Sequence, residues 1–140
     1  MKILTLAVVF VLLAFNSNAT KYEFIATDSN IETKMCVFAG NNDKDGLKKA
    51  LRLRIMGSSI NSKRFTVNSK RFTVNSVTCN NMVMAHFAHK YDAFDTFSYL
   101  NHFTSKKDKI PTTSVEIKDI AAIFNHKNEE TKIIYVGSAK

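Results

Sequence analysis

The chain has little of what breaks or joins domains. It carries only four glycines and one proline in 140 residues. No Gly/Ser- or Pro-rich linker appears, so residues 20–140 are expected to form a single small domain without a tail. It also lacks a second long apolar run. The one such run, Ile3 to Phe15, is thirteen residues, against the ~20 that a membrane-spanning helix needs. Lys2 precedes it and Asn16-Ser17-Asn18-Ala19 follows it. This is the charged start, apolar centre and small-residue cleavage site of a signal peptide. Cleavage after Ala19 is expected, with Thr20 as the mature N-terminus. The expected location is periplasmic or secreted, with no transmembrane segment in the mature chain.

Cysteine is nearly absent, and the two present, Cys36 and Cys79, are not in a C-x-x-C arrangement. That spacing argues against a redox or metal pair. In an exported chain an even count points to a disulfide, and only one intramolecular pairing exists.

Acidic residues are missing from a long central stretch. Between Gly46 and Tyr91 there are none, while Lys48, Lys49, Arg52, Arg54, Lys63, Arg64, Lys70, Arg71 and Lys90 all fall there. Loss of Lys2 with the leader leaves 19 basic against 12 acidic residues, a net +7 for the mature chain. Outside the stretch the mature chain is close to neutral. The excess charge is therefore regional. Lys48, Lys49, Arg52, Lys63, Arg64, Lys70 and Arg71 are the candidate anion-binding residues. The expected partner is an anionic lipid, polysaccharide or other envelope component; the same cations would also serve solubility. No helix-turn-helix, RNP aromatic pattern or zinc spacing occurs, which argues against sequence-specific nucleic-acid recognition.

Catalytic motifs are equally scarce. There is no nucleophile elbow, phosphate-binding glycine loop or H-E-x-x-H. Asn41 to Gly46 has the look of a calcium loop, but Arg52 stands where the bidentate Glu is required. His86 and His89 are spaced i, i+3 and are the candidate metal ligands, in a metal-binding protein or small hydrolase. The alternative is a solvated helix face. No cofactor is implied, and a non-enzymatic binding or structural module is the leading expectation.

Periodicity predicts an α+β fold: three to four short helices with a small antiparallel sheet and one disulfide. Ser29-Asn30-Ile31-Glu32 reads as a capping box for a helix over about 30–39, closed by Gly40 in the left-handed conformation. Asp43 caps a helix over about 44–56, stopped by Gly57, with Leu47, Ala50, Leu51 and Ile55 inward. Asn80 caps a helix from about Asn81 to Tyr91, and Phe97, Leu100 and Phe103 mark another. Val115, Ile117 and Ile120 read as a strand, as do Ile133 to Val136.

A tandem duplication lies between these elements. Asn61-Ser62-Lys63-Arg64-Phe65-Thr66-Val67 recurs as Asn68-Ser69-Lys70-Arg71-Phe72-Thr73-Val74. Its Phe, Thr and Val favour a strand. A step of seven would turn Phe65 and Phe72 to opposite sides of one strand, so a break is expected around Asn68-Ser69.

Phe24-Ile25-Ala26, Glu32-Thr33-Lys34-Met35-Cys36, Lys70-Arg71-Phe72 ahead of Val77-Thr78-Cys79-Asn80, Met82 through Phe87-Ala88, and Ile117-Lys118-Asp119-Ile120-Ala121 carry a family resemblance. With the leader, they resemble an uncharacterised family of small exported gammaproteobacterial proteins, domain of unknown function 3718. The resemblance spans most of the mature chain. It implies export, a cysteine pair and no known activity, and it transfers no catalytic residue. The heptad duplication departs from that family's pattern.

Overall fold

The computed structural model describes residues 20–57, 66–111 and 131–139. The leader, Lys63 and Arg64, most of the first repeat copy and the strand predicted around Val115, Ile117 and Ile120 lie outside the described residues. The described chain runs β1 (Lys21–Ala26), α1 (Ile31–Gly40), α2 (Lys44–Gly57), α3 (Val67–Ser76), β2 (Thr78–Cys79), β3 (Met82–Val83), α4 (Met84–Lys90), α5 (Phe94–Phe103), β4 (Thr131–Val136) and β5 (Ser138–Ala139). This is the mixed α+β class expected, with five helices. The antiparallel sheet has the order β3-β2-β5. The sequence reading did not foresee the second sheet, in which β1 lies parallel to β4, Lys21 opposite Thr131 and Ala26 opposite Val136.

Cys36 and Cys79 form the expected disulfide, with 5.5 Å between Cα atoms. Both are fully buried. The bridge joins the middle of α1 to β2. Around it, Met35, Leu47, Leu51, Val74, Phe87, Leu100 and Val136 build the core.

α1 occupies the predicted span but starts differently. Asn30 is the N-cap, without a side-chain cap bond. The Asp28 carboxylate instead accepts from the Asn30 amide at 2.8 Å. Glu32, expected in a capping box, is buried and takes the Arg54 guanidinium of α2 at 2.6 Å. A buried carboxylate needs a charged partner, and Arg54 is the residue that interrupts the apolar stripe of α2. Gly40 is not left-handed. It is the last residue of α1, and glycine is needed there because a Cβ would lie 2.7 Å from the Phe24 ring. The left-handed residue is Asn42, at φ 57°. Its side-chain oxygen accepts from the amides of Asp95 and Thr96 at 2.9 and 3.1 Å, capping α5 from another element.

α2 follows expectation closely. The Asp43 carboxylate accepts from the Gly46 amide at 2.8 Å, and Leu47, Ala50, Leu51 and Ile55 are all buried.

The second repeat copy is helical, not a strand. Thr66, near the end of the first copy, caps α3 by accepting from the Ser69 amide at 3.2 Å. Thr73, Val74 and the following Val77 turn into the core, and Phe72 is 76% exposed. Burial at helical spacing outweighs the strand preference of Phe, Thr and Val. Asn75 pins this helix to the end of α5. It donates to the Phe103 carbonyl at 2.9 Å and accepts from the Ser105 amide at 2.7 Å.

Asn80 does not cap a helix either. Asn80 and Asn81 both have positive φ, 47° and 64°, and make the two-residue turn between β2 and β3. The helix begins at Met84, and Met84, Phe87 and Ala88 are buried. The Asn80 side chain donates to the Tyr135 carbonyl and accepts from the Gly137 amide, each at 2.9 Å. It clasps the junction of β4 and β5.

Removing the bridge by a Cys36→Ala/Cys79→Ala pair is expected to lower stability by about 4 kcal/mol, the closure entropy of a loop of this length. Urea unfolding measures it. In the same assay Asn80→Ala should cost more than Asn80→Gly, since glycine keeps the left-handed backbone and loses only the clasp.

Candidate anion-binding site

The inward stripe of α2 fixes what its other sides present. With Leu47, Ala50, Leu51 and Ile55 in the core, Lys48, Lys49 and Arg52 are exposed. The two Asn75 bonds hold α3 beside α5 and bring Lys70 to the same place. The result is a cleft of about 270 Å³ lined by Lys48, Lys49, Arg52, Lys70 and Tyr99.

Its aromatic side comes from α5. Tyr99 and Phe103 are one helical turn apart, their rings edge to face at 5.2 Å. The Lys48 ammonium sits 5.9 Å from the Tyr99 ring centre, and that of Lys70 lies 5.6 Å from the Phe103 ring. Both distances suit a cation–π contact, which holds an ammonium in place without neutralising it. Lys48 also meets Asp45 at 3.3 Å, an exposed pair worth little in water. Among the described residues no carboxylate lines the cleft. Burial pushes the Tyr99 phenol above its ordinary value of 10.0, so at neutral pH it is a neutral group able to donate.

Four cations of one sign around a small concavity repel one another. An anion relieves that repulsion, and low-dielectric walls concentrate the field. The arrangement therefore suits a phosphate, sulfate or carboxylate group better than a flat scatter of the same charges would.

Of the seven cations singled out in the sequence, the structure brings Lys48, Lys49, Arg52 and Lys70 together. Arg71 faces elsewhere, into a shallow depression shared with Phe72, Asn75, Ser76 and Ser105. Lys63 and Arg64 lie outside the described residues. Tyr99 and the ring role of Phe103 were missed. The available signal was their i, i+4 spacing, which places two aromatics on one face of α5.

His86 and His89 take part in packing. His86 Nε2 lies 2.6 Å from the Asp108 carbonyl, and a carbonyl partner makes that nitrogen the donor. The His89 ring packs edge-on to Phe97 at 4.8 Å. Among the described residues no group of three or more His, Cys, Asp or Glu side chains is placed to hold a metal ion.

These features define a class: a disulfide-bonded α+β protein with a basic, aromatic-sided cleft. Comparison with family models, with curated proteins and with solved structures finds no match to the chain. No helix among the described residues is long and apolar enough to cross a membrane.

The raised Tyr99 ionisation makes a pH prediction. A phenol held protonated by the fold contributes stability that is full below 10.0 and is lost as pH rises through the folded-state value. Tyr99→Phe should make the fold less sensitive to alkali, and should remove one late-ionising phenol from the absorbance titration.

Proposed function

We propose that this is an exported, non-enzymatic binding module whose cleft between α2, α3 and α5 takes the anionic groups of a cell-envelope component. The observation that carries the reading is the convergence of Lys48, Lys49, Arg52 and Lys70, from two helices, beside the Tyr99 ring. The signal-peptide pattern of residues 1–19 and the Cys36–Cys79 bridge both suit an oxidising compartment such as the periplasm. Export is also what the resemblance to the small gammaproteobacterial family would imply, and membership of that family is part of the proposal.

The mechanism is electrostatic capture. The regional positive charge raises the encounter rate with polyanions. The cleft then replaces the counterions of the bound group with fixed cations, so affinity falls steeply as salt rises. Lysine supplies point charges on long stems, and Arg52 supplies a fork that matches two oxygens of one phosphate or carboxylate.

Polyphosphate is a suitable probe. By titration calorimetry at low ionic strength it should bind the mature protein, and binding should weaken sharply with added salt. Lys48→Glu/Arg52→Glu should reduce affinity about tenfold or more, while Lys107→Glu, outside the cleft, should change it little. No binding at low salt, or equal losses from both variants, would contradict the reading.

A further inference from the structure

The outer side of α2 is not purely polar. Leu53 is 65% exposed and Met56 50% exposed. At 100° per residue, Lys49, Arg52, Leu53 and Met56 fall within about 100° of one another. They lie opposite the buried Leu47, Ala50, Leu51 and Ile55. One helix therefore has two apolar faces, one filled by the core and one interleaved with cations. Single exposed apolar residues are ordinary on a protein surface. Two large ones at i, i+3, flanked by Lys49 and Arg52, form a pattern, and the Glu32 carboxylate that shares a depression with Leu53 is already paired with Arg54.

That pattern selects among anionic partners. A soluble polyanion satisfies the cations but leaves Leu53 and Met56 in water. An anionic bilayer satisfies both. Its headgroup phosphates lie at the depth that lysine and arginine heads reach, and the acyl boundary lies just below, within reach of leucine and methionine. Anionic headgroups also draw in basic segments before any insertion occurs.

We propose that the outer face of α2 docks the protein on an anionic lipid bilayer, with Leu53 and Met56 entering the acyl boundary while Lys49 and Arg52 engage headgroup phosphates. The inference rests on the anion-binding reading of the adjoining cleft and names the bilayer as the source of the anionic group. Docking is peripheral and reversible, because two side chains bury far less apolar surface than a membrane span.

The test is co-sedimentation of the mature protein with vesicles of phosphatidylglycerol and phosphatidylcholine. Leu53→Ser/Met56→Ser should lower partitioning onto these vesicles about tenfold and leave polyphosphate affinity unchanged. Equal partitioning of the variant and the parent would overturn the inference. Polyphosphate binding without vesicle binding would overturn it too, and would leave the anion site standing. Failure of the parent to bind either would overturn both readings. A second variant gives a direct readout of depth. The chain has no tryptophan, so Leu53→Trp is a sole reporter. Its emission should shift to the blue on anionic vesicles and stay unshifted on polyphosphate. An unshifted emission on vesicles that the protein binds would place position 53 in water and refute the insertion.

Discussion

The bond between Cys36 and Cys79 closes a circuit on which the other elements hang. It fixes α1 to β2. The next residue, Asn80, grips Tyr135 and Gly137 through its side chain, which holds β4 and β5 against the hairpin. β4 pairs in parallel with β1, and Phe24 of β1 lies against Gly40 at the end of α1. The circuit returns to the helix on which it began. One covalent bond, one asparagine side chain and one missing Cβ thus bring together segments from both ends of the described chain. Two-stranded sheets are marginal alone, and the circuit supplies the packing that each strand pair lacks.

From α1 the order spreads to the cleft. Glu32 reaches across to Arg54 and sets α2. Asn42 caps α5, and the Thr96 hydroxyl donates to the Ala39 carbonyl at 2.7 Å. Asn75 then fastens α3 to the end of α5. These are short polar contacts at helix ends, where backbone groups would otherwise lack partners. Their effect is to set three helices around one concavity. Arg54 is the instructive exception among the α2 cations. It turns inward, is neutralised by Glu32 and serves the fold, while Lys48, Lys49 and Arg52 turn outward to the cleft.

Much of this was legible wherever one local period governed. α2 could be read from Asp43, its apolar stripe and Gly57, because a helix face repeats within a few residues. The disulfide could be read from the even cysteine count together with the leader-like pattern of residues 1–19. The repeat misled because Phe, Thr and Val speak for a strand, yet in the second copy Thr73, Val74 and the following Val77 fall at helical spacing on the core side, and Thr66 supplied the cap. The Asn80-Asn81 turn was misread because asparagine favours both helix caps and left-handed turns. The parallel ribbon was invisible, since pairing β1 with β4 joins segments with no local signal between them. At the cleft, Lys48, Lys49 and Arg52 could be grouped from helical spacing. The arrival of Lys70 and the part played by Tyr99 depend on how α3 and α5 pack.

The central functional claim is that cations from α2 and α3 act as one site at Tyr99. Amide chemical-shift mapping of the labelled chain 20–140 during a pyrophosphate titration tests it most directly. The account predicts shifts centred on Lys48, Lys49, Arg52, Lys70 and Tyr99, saturating with a single midpoint. Shifts spread evenly over all exposed lysines and arginines, or centred on α4, would contradict it.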